Sequence, residues 1–335
     1  MSELQRASSD LNPAQAAAVR HGTGPLLILA GAGSGKTRVI TARINELLRR
    51  GVQPWRILAV TFTNKAAGEM RARIERAAGD RASGAWIGTF HATCAKLLRM
   101  FPEPAGLSRD FVIFDDSDQK TLMSRVLKEL GIADRFATPR AMLSAIDGAK
   151  NKGEGPAEYQ GRDYFTDIVA RVYPLYQERL EQSNGVDFGD LLLKALWLCE
   201  RNAELGPKLA EKFDHVLVDE FQDTNQVQYR LVKHLSQKHH NLCVVGDDDQ
   251  SIYRWRGADL RNILDFEKDH PGTEVVKLEQ NYRSTQTILD AANAVIARNL
   301  WRKEKRLFTE QLGGEPILYH TAEDERREAE FVVRA

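Results

Sequence analysis

Four short apolar runs rich in Val, Ile and Leu punctuate the chain: PLLILA at 25–30, ILAVTF at 57–62, HVLVDE at 215–220 and LCVVGD at 242–247. Amphipathic helical patterns lie between them. Continuous apolar runs of this length read as strands buried on both faces, and their alternation with helices predicts a parallel sheet of the α/β class. Each run ends at a glycine, a threonine or an acid. The carboxyl ends of strands are where ligands sit in such sheets, so the loops that follow carry the candidate chemistry.

Between about 110 and 185 the strand pattern vanishes and the chain reads as helical, punctuated at FPEPAG, NKGEGP and SNG. Because strands resume afterwards, this stretch is expected to be a helical subdomain inserted into an α/β lobe. A last segment opens at VVKLEQNYRS (275–284) with a strand, a polar turn and the helix STQTILDAANAVIARN. The expected division is therefore a lobe of residues 1–110 with 186–278, an insert of residues 111–185, and the start of a second lobe at 279–335. The chain stops in another helical pattern, DERREAEFVVRA, without a cap, and the expectation is a longer protein cut short.

With 335 residues, two or three domains are expected. Lys plus Arg equals Asp plus Glu, 47 each, so no overall charge advertises a polyanionic partner, and any nucleic-acid contact must come from local patches. Cys94, Cys199 and Cys243 are far apart with no CxxC pair, which argues against a disulfide framework or a zinc site and fits a reducing cytoplasm. The N-terminal MSELQRASSDLNPAQ has no apolar signal core. No run approaches the roughly 18 apolar residues that span a bilayer, so no membrane partner is expected.

The stretch ILAGAGSGKT sets glycines 31, 33 and 35 in a turn between a strand and a helix, followed by Lys36 and Thr37. Backbone amides of Ala32, Gly33, Ser34 and Gly35 can surround a phosphate, Lys36 can reach its oxygens and the Thr37 hydroxyl can hold Mg²⁺. Ala30 stands where the usual pattern has glycine. HVLVDE ends in Asp219, a candidate magnesium ligand, and Glu220, a candidate general base. Gln250, at the tip of a third strand-to-loop transition, is an amide able to sense a γ-phosphate.

Within five residues of Gln250 come Tyr253 and Trp255, flanked by Arg254 and Arg256. Aromatic faces stack bases with little sequence preference, and guanidinium groups pair with phosphates. Two further strand ends carry similar groups: Phe62, Thr63 and Asn64, and Thr89, Phe90 and His91. Taken alone, each stretch reads more often as an ordinary helix cap beside a core phenylalanine. The basic run WRKEKR (301–306) reads as a solvated helix face.

LNPAQAAAV, AGAGSGKT, VTFTNKAAGEM, GTFHA, DFGDLL, VDEFQDTN, VVGDDDQSIYRWRGAD and LEQNYRS stand in the order of the motifs of superfamily 1 helicases of the UvrD, PcrA and Rep type, and the chain resembles the N-terminal half of that family. The resemblance implies a RecA-like phosphate-loop lobe and an ATP- and Mg²⁺-dependent 3′–5′ DNA helicase of the repair type. It implies that Lys36, Glu220, Gln250 and Arg283 are catalytic, Arg283 as an arginine finger. It further implies that Gln15 reads the adenine edge, that Arg38 and Tyr282 sandwich the base, and that Phe62, His91, Tyr253 and Trp255 line the path of single-stranded DNA. Single-stranded DNA, its junctions with duplex, and repair proteins are the implied partners. A chain with only the opening of the second lobe is expected not to unwind DNA alone. Apart from the resemblance, the residues leave open a nucleotide-dependent DNA clamp without turnover and a phosphate-loop NTPase acting on protein.

Overall fold

All four apolar runs form strands in the computed structural model, which describes residues 11–133, 137–300 and 302–334; residues 1–10 of the stretch read for a signal core, and Trp301 of the basic run, lie outside these. The chain opens with α1 (Pro13–Arg20), β1 (Leu26–Ala30), α2 (Lys36–Arg49), β2 (Ile57–Thr61), α3 (Asn64–Ala78), β3 (Trp86–Thr89) and α4 (Phe90–Met100). A helical region follows: β4 (Val112–Ile113), α5 (Asp116–Glu129), α6 (Pro139–Lys152), α7 (Tyr164–Gln182) and β5 (Gly185–Val186). Then come α8 (Phe188–Glu200), α9 (Leu205–Ala210), β6 (His215–Val218), α10 (Gln226–Ser236), β7 (Leu242–Gly246), the single turns α11 (Arg261–Leu264) and α12 (Phe266–Asp269), β8 (Glu274–Leu278), α13 (Gln286–Ile296) and α14 (Glu325–Arg334).

The main sheet has the order β3-β2-β6-β7-β1-β8, with every pairing parallel. Side chains alternate across it. Leu27, Leu29, Leu58, Val60, Val216 and Val218 pack beneath α4, α8 and α10, while Leu26, Ile28, Ile57, Ala59, Leu217 and Val245 pack beneath α1, α2 and α3. Both faces are therefore apolar, which is why the strands read as unbroken runs. At about 1.5–3 kcal/mol for each large aliphatic side chain, these two layers are the main hold on the sheet. The buried Arg43 of α2 donates to the carbonyls of Ala18 and His21 at the end of α1, anchoring that helix over the sheet.

The strand order sets β6, β7 and β1 side by side. Three loops that are distant in sequence, at 31–37, 219–225 and 247–256, therefore emerge at the same end of the sheet. The helical region carries its own core from Met123, Val126, Ile146, Val169, Val172, Tyr173 and Tyr176. Its two ends are tied by β4 and β5, a parallel pair with Val112 opposite Gly185, too short to register as an apolar run. The Lys150 ammonium, 1% exposed, binds Asp187 and Asp190 at 2.7 Å each, so α6 is fastened to the start of α8 by a buried ion triad. Burial works against that charge, but the two facing carboxylates raise the Lys150 pKa overall.

The C-terminal segment departs from the expectation at WRKEKR. Residues 302–306 form no helix, and the run is not a solvated face. Lys305 is buried and makes ion pairs of 2.8, 2.6 and 2.7 Å with Asp247, Asp248 and Asp249. Arg302 pairs with Asp249, and Lys303 with Glu267. Three adjacent acids on a buried loop require counter-charge, and the basic run supplies it.

Candidate functional site

The phosphate loop is shaped by glycine geometry and by buried neighbours. Gly33 and Gly35 have φ of +69° and +88°, a region costly for residues bearing Cβ. A Cβ on Gly33 would stand 2.7 Å from the Asn281 amide and 2.8 Å from Arg283 Cβ, and one on Gly31 would strike Leu307 at 2.2 Å. The loop thus lies against the chain's own segment 281–307. Tyr282 N–H donates to the Gly33 carbonyl (3.0 Å), and the Asn281 amide donates to the Ala32 carbonyl (2.7 Å). Ser34 is buried and donates its hydroxyl to the Gly31 carbonyl at 2.7 Å.

Gln15 is fully buried, and both ends of its amide are engaged within the protein. Its Nε2 donates to the Ser34 carbonyl at 2.9 Å, and its Oε1 accepts the Asn12 N–H in the capping box of α1. Gln15 therefore braces the phosphate loop. Tyr282 is exposed on one side, with its hydroxyl held between Asn12 and Gln280. Arg38 lies partly buried in the first turn of α2. Arg283 is exposed beside Gly33.

Lys36, the first residue of α2, points across the ends of the neighbouring strands. Its Nζ donates to Glu220 Oε2 at 3.2 Å and to Gln250 Oε1 at 3.3 Å, so one ammonium joins three loops that the sequence separates by 184 and 214 residues. Glu220 is held in the left-handed region at φ +52°, an uncommon conformation for a non-glycine residue, and its carboxylate also accepts from the Gln222 amide. Asp219 is buried, and its pKa is pushed up to about 7 by burial and by the charge of Glu220. Asp223, which the sequence reading did not single out, is raised to about 6 for the same reasons. The Gln250 amide donates back to Asp247, while Asp247, Asp248 and Asp249 are clamped by Lys305. Thr37 stands partly buried in the first turn of α2.

A groove of about 930 Å³ opens on the other side of these loops, between the sheet and the helical region. Phe62, Phe90 and His91 line it from the ends of β2 and β3, Phe188 from the start of α8, and Trp255 and Arg256 from the loop after β7. Trp255 is 74% exposed and Phe188 45%. His91 meets Phe188 edge-to-face at 5.7 Å, Phe62 meets Phe90 at 6.0 Å, and the Arg256 guanidinium lies 4.6 Å from the Trp255 ring centre and 5.2 Å from that of Tyr253. Burial lowers the pKa of His91 at the groove wall.

The structure brings Phe62, His91, Trp255 and Arg256 to the groove, while Tyr253 sits behind them against Trp255 and Arg256 and is not among the lining residues. Thr63 and Thr89 are caps of α3 and α4, accepting the N–H groups of Ala66 and Ala92, and Asn64 is exposed at the first turn of α3. Phe188 went unassigned because an aromatic residue after a capping aspartate reads as core. Its signal was the phenylalanine at the first helical position of DFGDLL, where a helix exposes whatever it does not bury.

Two domain families match the chain: the UvrD/REP helicase N-terminal domain over residues 11–271 and the UvrD-like helicase C-terminal domain over residues 276–335. The chain is 50% identical over 327 residues, 97% of its length, to a protein of Staphylococcus aureus named ATP-dependent DNA helicase PcrA. It is 49% identical over 328 residues, again 97% of its length, to the protein of the same name in Staphylococcus epidermidis. It spans 45% of the length of each of these relatives. The chain belongs to the UvrD/REP helicase family.

Proposed function

We propose that this chain supplies the nucleotide-hydrolysing and strand-gripping surfaces of an ATP-dependent DNA helicase that moves 3′ to 5′ along single-stranded DNA in repair. The observation that carries the reading is the position of Lys36 between Glu220 and Gln250, with Gln250 on the same short loop as Trp255. The proposed division is a discontinuous RecA-like lobe of residues 1–110 and 186–278, an insert of 111–185 and the opening of a second lobe from 279. The proposed DNA partners are single strands and their junctions with duplex.

The residues fit a nucleotide with its magnesium. Glu220 is paired with Lys36, and burial first and then the charge of Glu220 raise the pKa of Asp219 and Asp223, a cost to their ionised forms that a divalent cation would relieve. Thr37 and Asp219 would hold Mg²⁺, which supplies charge neutralisation at the phosphoryl oxygens. The chain's own groups do the rest. Lys36 exchanges Glu220 and Gln250 for phosphate oxygens, which frees the Glu220 carboxylate to orient a water and take its proton. As its oxygen leaves Lys36, the Gln250 amide turns its Nε2 from Asp247 to donate to the terminal phosphate, and Arg283, beside Gly33, adds positive charge as the phosphate leaves. Movement of Gln250 shifts the loop that carries Tyr253 and Trp255, and so changes the grip on a stacked base.

The test is ATP turnover with and without a single-stranded oligonucleotide, with oligonucleotide binding followed by fluorescence in the same samples. Turnover stimulated by the oligonucleotide is the expected result. Failure to bind the oligonucleotide overturns the reading of the groove, and stimulation unchanged in Trp255→Ala overturns the coupling.

A further inference from the structure

A second cavity, of about 370 Å³, runs along the outer edge of β3 between α3 and α4. It begins where the aromatic groove ends. Asn64 and Thr89 line the edge cavity, while Phe62 and Phe90, on the same two strand ends, line the groove. From Thr89 it follows the strand back past Gly88 to Trp86, about 10 Å at 3.3 Å per residue. Arg71 reaches in from α3 and Lys96 from α4; the Lys96 ammonium lies 3.8 Å from the centre of the Trp86 ring and that of Lys212 at 4.8 Å.

Among the described residues no carboxylate pairs with Arg71 and Lys96, which are exposed and line the cavity, or with the half-buried Lys212. The cations also oppose one another. Burial and then Arg71 lower the pKa of Lys96, and burial and then Lys96 and Arg56 lower that of Lys212. Cations gathered at one strand edge without a carboxylate, and repelling one another, are stabilised by an anion. The Arg71 guanidinium also donates to the Ile87 carbonyl, an outward-facing backbone acceptor of this edge strand, so a peptide adding to β3 would have to displace it.

We infer that the β3 edge, through Arg71 and Lys96, is a second nucleic-acid contact that holds the phosphates of a strand as it leaves the aromatic groove. It rests on the proposed function. It adds a site read by charge alone to one read by stacking, and lengthens the footprint on the strand.

The test compares Arg71→Gln/Lys96→Gln, which removes both charges and keeps polar side chains, with the unaltered chain on fluorescein-labelled oligothymidylates of 6 and 20 nucleotides across a salt series. Thermal unfolding of both proteins checks the fold. The expected result is a roughly tenfold weaker grip on the 20-mer at low salt, a salt slope shallower by about 1.4 for two phosphates, and little change for the 6-mer. Trp255→Ala, run in parallel, weakens both lengths. If Arg71→Gln/Lys96→Gln binds both lengths with the parent affinity and slope while Trp255→Ala does not, the edge contact is wrong and the function stands. If the unaltered chain binds neither oligomer, the function itself is wrong. Loss of a poly-glutamate contact in the double variant without loss of DNA affinity would make the edge a site for acidic peptides and overturn the inference.

Discussion

In the phosphate cleft the polar groups hold one another, whereas in the groove a few loops away the aromatic faces stand open. Lys36 is bound to Glu220 and Gln250, Gln15 to Ser34, Asn281 to Ala32, and the aspartates at 247–249 to Lys305. In the groove, Trp255 and Phe188 touch other rings or a guanidinium and leave much of their surface to solvent. A ligand entering the cleft must exchange existing bonds, so its binding is inseparable from movement of the loops that carried them. A ligand in the groove covers surface already formed. The cleft is therefore built to switch and the groove to grip, and residues 247–256 belong to both.

The cleft side of this contrast breaks most sharply at Glu220. Replacing it with Gln removes the proposed base but keeps a partner for Lys36, so turnover should fall by about 10²–10⁴-fold with nucleotide affinity nearly kept; measured turnover within threefold of the parent would remove Glu220 from that role. Lys305→Met leaves Asp247 and Asp248 without a cation and Asp249 with Arg302 alone, and urea unfolding should register a loss of about 3–5 kcal/mol. A loss below 1 kcal/mol would mean that the segment does not clamp the loop. On the groove side, Trp255→Ala should weaken oligonucleotide binding by about 1–3 kcal/mol, roughly 5- to 150-fold, while turnover without DNA stays at its parent value. Binding titrations and a basal ATPase assay separate the two effects. The smallest expected effect is at the caps: Thr63→Ala and Thr89→Ala should each cost about 1 kcal/mol in thermal unfolding, with Ser restoring most of it. A loss of DNA affinity without a loss of stability would return these hydroxyls to the groove.

Much of the sheet and the phosphate loop was legible because their signals are local. A strand buried on both faces must be apolar throughout, and the loop's glycines, Lys36 and Thr37 are contiguous. Illegible were the partnerships made across the fold. Nothing near residue 305 announces that a lysine in a basic run will be buried against Asp247, Asp248 and Asp249, and that run was read as solvated because its acids lie more than fifty residues away. Lys150 and its two aspartates were hidden in the same way. For Gln15 the resemblance implies a contact to the adenine edge, and nothing local shows that both ends of its amide engage Ser34 and Asn12. Phe188 was missed because exposure of an aromatic ring is a property of the assembled surface.

The close approach of Leu307, Asn281 and Arg283 to Gly31 and Gly33 bears on how mutants of the phosphate loop are interpreted. Alanine at either glycine would meet the chain itself before it met any phosphate, and at Gly33 it would also carry the left-handed backbone penalty. A dead Gly33→Ala variant would therefore report on how two distant stretches of chain seat together as much as on nucleotide chemistry. Suppressors of Gly33→Ala are to be sought at 281, where a smaller side chain restores the lost room, and at 283, where glycine does, and those of Gly31→Ala at 307.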